Sequence, residues 1–156
     1  MRVVIDTNVF VSSFLNPTGN PRKVIDLWKT GKIDICISEE ILEEYISVLA
    51  RIGLEGEPEL YELLELFKRK ENIIFASNTP SITVIEQDPA DNMFIECAVA
   101  VDARYIISGD KHLTALKSYK GISIISPSEF INKRKADGDG RWGRRSQLEP
   151  KATDEG

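Results

Sequence analysis

The chain has almost none of the side chains that bind soft metals or carry redox chemistry: of 156 residues, two are cysteine and one is histidine. Cys36 lies in an apolar run that reads as a strand and Cys97 in an apolar helix, so both read as small core residues. They make neither a C-x-x-C pair nor a disulfide framework, which argues against zinc sites and thiol redox chemistry. Also missing is any apolar run near the roughly 18 residues of a membrane span. The N-terminus reads as a strand, without the basic start, apolar run and small-residue cleavage site of a secretory signal. A cytoplasmic protein with no membrane partner is expected. Basic charge is scarce too: with 20 Lys and Arg against 25 Asp and Glu, the formal charge is −5. That balance argues against a protein that coats nucleic acid nonspecifically, because such affinity comes mainly from cations neutralising phosphates.

What is present is ordinary for a globular chain, 42% hydrophobic and 29% charged. A domain near this size buries roughly 68–70% of the surface its unfolded chain exposes. Charge is unevenly spread. Residues 1–132 carry 13 basic and 20 acidic side chains, whereas residues 133–156 carry 7 basic and 5 acidic. From Lys133 onward the apolar period stops and glycine and charge take over, so the expected organisation is one domain over 1–132 and a charged, disordered tail over 133–156.

Strands alternate with helices along the domain. Val3–Ile5 reads as a strand, and "NPRKVIDLWKTG" from Asn20 to Gly31 as a helix with proline in its first turn and a terminating glycine. "IDICIS" (33–38) is a second strand, leading into a helix at "EEILEEYISVLARIG". Another helix starts at Pro58. Two segments compete for the third strand, "NIIFA" at 72–76 and "ITVIE" at 82–86. Then come a helix in "DPADNMFIECAVAV", a strand in "YIISGD" (105–110), a helix from Lys111 to Tyr119 and a last strand in "ISIIS" (122–126). Ser126, Pro127 and Glu129 form a capping-box start for a closing helix. The pattern predicts an α/β fold with a parallel sheet covered by helices on both faces.

In such a sheet, ligands bind beyond the carboxyl ends of the strands. Asp6 stands at one strand end and Asp110 at another, and helices beginning near that rim carry Glu43, Glu44, Asp88 and Asp91. Each acid also has a plainer reading. Asp6 can be a turn residue, Asp110 a turn or helix cap, and Asp88 the N-cap of the helix after Pro89. Asp91 sits one turn before Ile95, near the sheet-facing side of its helix. On a wheel of about 100° per residue, Glu44 lies about 120° from the centre of the apolar stripe and Glu43 about 140°, which makes Glu44 the better inward candidate. Gathered together, these acids need cations, since like charges about 4 Å apart repel by about 4 kcal/mol at an effective dielectric near 20. Carboxylate ligands of this kind suit the hard ions Mg²⁺ and Mn²⁺. Such ions activate water and stabilise phosphoryl charge, which points to phosphodiester hydrolysis.

Four stretches, "VVIDTNVFVSSFL", "ISEEILEEYISVLAR", "DPADNMFIECAVAVDARYIISGDKHL" and "ISIISPSEFI", resemble the PIN-domain family over residues 1 to 132 and are most similar to its toxins of toxin–antitoxin pairs. The resemblance implies a three-layer α/β/α sandwich around a parallel, roughly five-stranded sheet. It implies an Mg²⁺- or Mn²⁺-dependent ribonuclease acting on RNA, a homodimer, and a cognate antitoxin protein. By matching position, Asp6, Glu44, Asp91 and Asp110 would be the metal-binding catalytic acids, with Asn8 and Ser108 as supporting polar residues and Asp88 and His112 as further candidates. Many relatives carry an acid two residues beyond the fourth, where this chain has His112; that histidine is either a phosphate or metal contact or an exposed helix-start residue.

Two other readings compete. A phosphatase or phosphoacceptor domain also puts an aspartate after its first strand, but "DTN" lacks the second aspartate of a D-x-D pattern and no lysine ends a late strand. A PIN-like module that binds RNA or protein without cutting leaves the four acids without a purpose. The tail's Arg141, Arg144, Arg145 and Trp142 suggest peripheral phosphate or base contacts, though such segments are more often simply tails.

Overall fold

Why Asp6 follows a buried strand is answered by the order in which the strands lie. The computed structural model describes residues 1–53, 58–86 and 88–137. Its elements run β1 (Arg2–Ile5), α1 (Thr7–Leu15), α2 (Asn20–Lys29), β2 (Asp34–Ser38), α3 (Glu39–Arg51), α4 (Pro58–Arg69) and β3 (Ile73–Ala76). A 3₁₀ turn (Pro89–Asp91) then leads into α5 (Asn92–Val101), β4 (Tyr105–Ile107), α6 (Lys111–Thr114), β5 (Ser118–Tyr119), β6 (Ile122–Ile125) and α7 (Pro127–Asp137). The sheet order is β3-β2-β1-β4-β6-β5, parallel except for the β5–β6 pair. The chain therefore builds outward from β1 through β2 to β3, then returns to lay β4 on the other side of β1. That reversal makes the β1–β4 boundary the topological switch point, where connections leaving adjacent strands part and open a crevice.

Val3, Val4 and Ile5 are fully buried, as are Ile106 and Ile107 beside them. This burial on both faces explains why these strands read as continuous apolar runs instead of alternating ones. α5 lies across β1, β2, β3 and β4, while α1 packs against α2 and α3, and α2 against α7. On the α1 side, Phe10 stacks on Tyr45 with ring centroids 4.2 Å apart and planes 6° from parallel, a contact worth about 0.5–1.5 kcal/mol beyond its burial. Cys36 and Cys97 are buried free thiols, each pushed up to about 12 mainly by burial. No helix among the described residues is long and apolar enough to cross a membrane.

The α/β class and layered plan agree with the expectation, and several details differ. Among the described residues the sheet has six strands, where roughly five were expected, because Ser118–Tyr119 adds an antiparallel edge. The helix expected from Lys111 to Tyr119 ends at Thr114. Lys117 takes φ 62°, and the Lys120–Gly121 pair, at φ 50° and 84°, forms a tight two-residue hairpin joining β5 to β6. The third strand is the 72–76 candidate; residues 82–86 form no strand. α1, unexpected as a helix, starts directly on Asp6, whose carboxylate accepts the Val9 amide at 3.0 Å. The closing helix has its capping box, with Ser126 N–H donating to Glu129 Oε1 at 3.0 Å and Glu129 N–H donating to Ser126 Oγ at 3.1 Å. It continues to Asp137, so residues 133–137 are helical and Arg134 is buried. Residues 138–156, the remainder of the expected tail, lie outside the described residues.

Candidate active site

β1 and β4 run in parallel register, with Ile5 opposite Ile107, and their ends deliver Asp6 and Ser108 side by side. The Asp6 amide continues the ladder by donating to the Ile107 carbonyl at 3.0 Å. Asp6 is only 3% exposed. Its Oδ1 accepts the Val9 amide, which caps α1, and its Oδ2 accepts the Ser108 hydroxyl. The same Ser108 oxygen accepts the Asp110 amide at 2.9 Å. One buried hydroxyl thus fixes two acids at once. Nearby, the buried Tyr45 hydroxyl donates to the Ile5 carbonyl, tying α3 to the residue before Asp6.

Asp110 caps α6 by accepting the His112 amide at 2.7 Å, and the His112 ring nitrogen Nδ1 stands 3.7 Å from the same oxygen. The capping reading of Asp110 and its place in an acid cluster are therefore compatible. Asp88 and Asp91 behave otherwise. They occupy N-cap positions of the 3₁₀ turn and of α5, yet neither side chain makes a capping hydrogen bond. Their carboxylates are left for something else. Among the described residues Asp91 Oδ2 is buried with no hydrogen-bond partner.

Electrostatics record how close these groups lie. Burial raises the Asp6 carboxyl, and the Asp110 charge adds to it, against the Ser108 hydroxyl and the Val9 amide, which favour its ionised form. Asp91 is pushed up to about 8, first by burial, then by a proton shared with Asp110, and by the charges of Asp110, Asp88 and Asp6. Burial opposes ionisation of Asp110 as well, but the shared proton, the His112 amide and the His112 ring outweigh it and hold that carboxyl below its ordinary value. One site takes the proton and its neighbour keeps the charge, as expected for carboxylates in contact.

The structure thus brings Asp6, Asp88, Asp91 and Asp110 together at the switch point, with Ser108 between two of them and His112 at the edge. It does not bring Glu44 into hydrogen-bond or ion-pair contact with them. Glu44 is exposed on the second turn of α3, next in sequence to Tyr45, and Glu43 is exposed beside it. Asn8 is exposed on the first turn of α1 and lines an adjoining groove.

A residue that sequence reading passed over organises this rim. Asn92 is 5% exposed, and its Oδ1 accepts the amides of Val84 and Ile85 at 3.1 and 3.0 Å. Its Nδ2 donates to the carbonyls of Ile85 and Pro89 at 3.1 and 3.0 Å. All four hydrogen-bonding positions of the carboxamide are used, and they bind residues 84–85 to the turn that presents Asp88 and Asp91. Glu96 adds a fifth tie by accepting the Ile82 amide at 3.0 Å. The signal was present in "DPADNMFIEC": an asparagine directly after the acid, at the start of an otherwise apolar helix.

A hard divalent cation fits this donor set. Asp88, Asp110 and His112 each offer one ligand atom, all within 4.8 Å of one another, and the partnerless Asp91 oxygen is a further acceptor. Carboxylates gathered at the switch point of a mostly parallel sheet define an α/β protein with a candidate cation site. Residues 2–112 match the PIN domain, and the chain belongs to that family. PIN domains are generally metal-dependent nucleases. The chain is also 36% identical over 143 residues to an uncharacterized protein of Methanocaldococcus jannaschii, an alignment covering 84% of this chain and 90% of that relative.

Proposed function

We propose that this protein is an endoribonuclease that uses Mg²⁺ or Mn²⁺ to hydrolyse RNA phosphodiester bonds. The observation that carries this reading is Asp91, whose buried Oδ2 lacks a partner in a group of acids that a cation would bring into balance. Asp6, Asp91 and Asp110 would hold the ion, with Glu44 completing the set from α3 as the family resemblance implies and Asp88 and His112 beside them. When bound, such an ion activates water and stabilises charge on a phosphoryl oxygen. The chain supplies rigidity and a proton site. Asp6 is fixed by two donors and Asp110 by its own helix start, whereas Asp91 takes up or releases the proton as charge enters the centre.

RNA as substrate, the toxin part in a toxin–antitoxin pair, a cognate antitoxin and a homodimer belong to the same proposal and rest on the resemblance of the four motifs. Exposed Ile46 on α3 and Tyr61 and Leu64 on α4 offer apolar surface to such partners. The test incubates the purified protein with end-labelled single-stranded and structured RNAs, and with matching DNA, in Mn²⁺, Mg²⁺ or EDTA. Cleavage of RNA that needs metal and falls to background in Asp6→Asn and Asp91→Asn is expected. Full activity in both variants would overturn the site.

A further inference from the structure

A groove of about 550 Å³ lies against the acid centre, between α1, the α1–α2 turn, the β4–α6 turn and the start of α7. We propose that it holds the nucleotide next to the bond being cut and reads its base through carboxamide and hydroxyl groups; the ligand's identity rests on the ribonuclease reading above. Position comes first. Its wall includes Gly109, one residue before Asp110, and Asn8, two residues after Asp6, so a strand whose phosphate sits at the acids has its neighbouring sugar and base at the groove. The volume lies within the roughly 300–1,000 Å³ typical of ligand pockets.

The wall's chemistry selects the part of the strand that fits. Among the described residues its polar side chains are those of Asn8, Ser12, Asn16, Asn20, Ser126 and Ser128, and it includes no Lys, Arg, Asp or Glu. Without cations it does not capture a phosphate, and without further acids it does not repel the strand. A carboxamide offers a donor and an acceptor in one plane, the arrangement that pairs with base edges. Among the described residues no aromatic ring lines the groove, which removes the stacking that makes single-strand binding tolerant of sequence. Recognition by hydrogen bonds alone implies a base preference.

Two glycines shape the space. A Cβ at Gly19 would come within 2.7 Å of Asn16 Nδ2, so glycine there leaves the Asn16 amide its place, while a Cβ at Gly109 would meet nothing within 4 Å, so the groove is open on that side. Asn16 Oδ1 is engaged with the Thr18 amide and hydroxyl at 3.4 and 3.3 Å, so its NH₂ is the group it can offer a base as donor.

The test measures binding of fluorescent hexa-adenylate, hexacytidylate and hexauridylate to full-length Asp91→Asn protein. The same measurement is made after adding either Ser12→Leu, which fills the groove from α1, or Asn20→Ala with Ser128→Ala, which strips its polar groups. Cleavage by the groove variants without Asp91→Asn is followed in parallel, together with Mn²⁺ titration and thermal melting. The expected result is one preferred hexamer, bound about tenfold more weakly by either groove variant and with the preference levelled, while Mn²⁺ affinity and melting stay unchanged. Equal binding and an unchanged preference would overturn the groove, as would failure of the parent to bind any hexamer; metal-dependent RNA cleavage by the wild type would still leave the nuclease standing. Groove-dependent binding alongside a wild type that cuts no RNA would do the reverse, keeping the groove and removing the nuclease.

Discussion

Ser108 has two obligations that no other side chain in the centre can take over. It donates to Asp6 and accepts from the Asp110 amide while wholly buried. Replacing it with alanine deletes a donor from a buried carboxylate, a loss of about 1–3 kcal/mol. The Asp6 carboxyl, already raised, should rise further, because the hydroxyl favours its ionised form. Ser108→Ala is therefore expected to lower the denaturation midpoint and weaken Mn²⁺ binding together, read by urea unfolding and calorimetric titration. Asp91 sets the pH behaviour. Without metal it keeps its proton to about 8, against 3.8 for the free side chain. Between those values the folded state binds the extra proton, so stability contributed by this group is present at low pH and is lost as pH rises towards 8, levelling off above. Asp6 acts with the same sign. Melting the metal-free protein between about pH 5 and pH 9 should show that decline, flattened in Asp91→Asn. Since a cation displaces the same proton, Mn²⁺ affinity should climb by up to about tenfold per pH unit below 8 and then stop climbing.

At the scale of elements, the 3₁₀ turn is only as well placed as the segment before it. Residues 82–86 have no strand partner, and their order comes from Asn92 and Glu96. Asn92→Ala would strand the amides of Val84 and Ile85 and free the turn carrying Asp88 and Asp91. We expect a loss of about 2–4 kcal/mol, with faster hydrogen exchange at Val84 and Ile85 and weaker Mn²⁺ binding. Unchanged exchange at those amides would show that the clamp is not what orders the segment. The same segment marks a limit of sequence reading. "NIIFA" and "ITVIE" are both short apolar runs of β-branched character, and composition does not separate a strand from a stretch pinned by one buried asparagine. α1 was hidden for a related reason: "VFVSSFL" is apolar on several sides, because α1 packs against both α2 and α3, so no amphipathic stripe announces it. The Lys120–Gly121 hairpin was legible in principle, since glycine at a left-handed position commonly ends a run. Elements flanked by Pro, Gly or a capping box were read closely, including α2 and the start of α7, whereas the end of α7 at Asp137 lies beyond the expected boundary at 132.

For the whole molecule, the alternation of strands and helices was visible in the sequence, but the strand order was not, and that order determines which carboxyl ends meet. Asp6 and Asp110 could be placed at strand ends; that Ser108 links them required β4 to lie beside β1. Glu44 shows the converse. The wheel ranked it above Glu43 while placing it about 120° from the apolar stripe, and Ile41, Tyr45 and Leu49 take the buried face of α3 and leave both glutamates exposed. On the ribonuclease reading, a protein at −5 with Asp6, Asp91 and Asp110 at its proposed site should hold RNA through a cation and neutral polar groups, with few lysines or arginines on phosphates. Each phosphate neutralised on single-stranded RNA contributes about 0.7 to the slope of log affinity against log salt. For Asp91→Asn protein binding its preferred hexamer, that slope should have a magnitude of about 2 or less between about 50 and 200 mM salt, corresponding to about three phosphates or fewer. The basic surplus of the last stretch sits in α7, where Lys133 and Lys135 are exposed. Residues 138–156 carry four basic and four acidic side chains, so they add no net attraction. A slope of about 4 or steeper would mean that a basic surface does grip the strand, and truncation after Asp137 would then tell whether Arg141, Arg144 and Arg145 supply it.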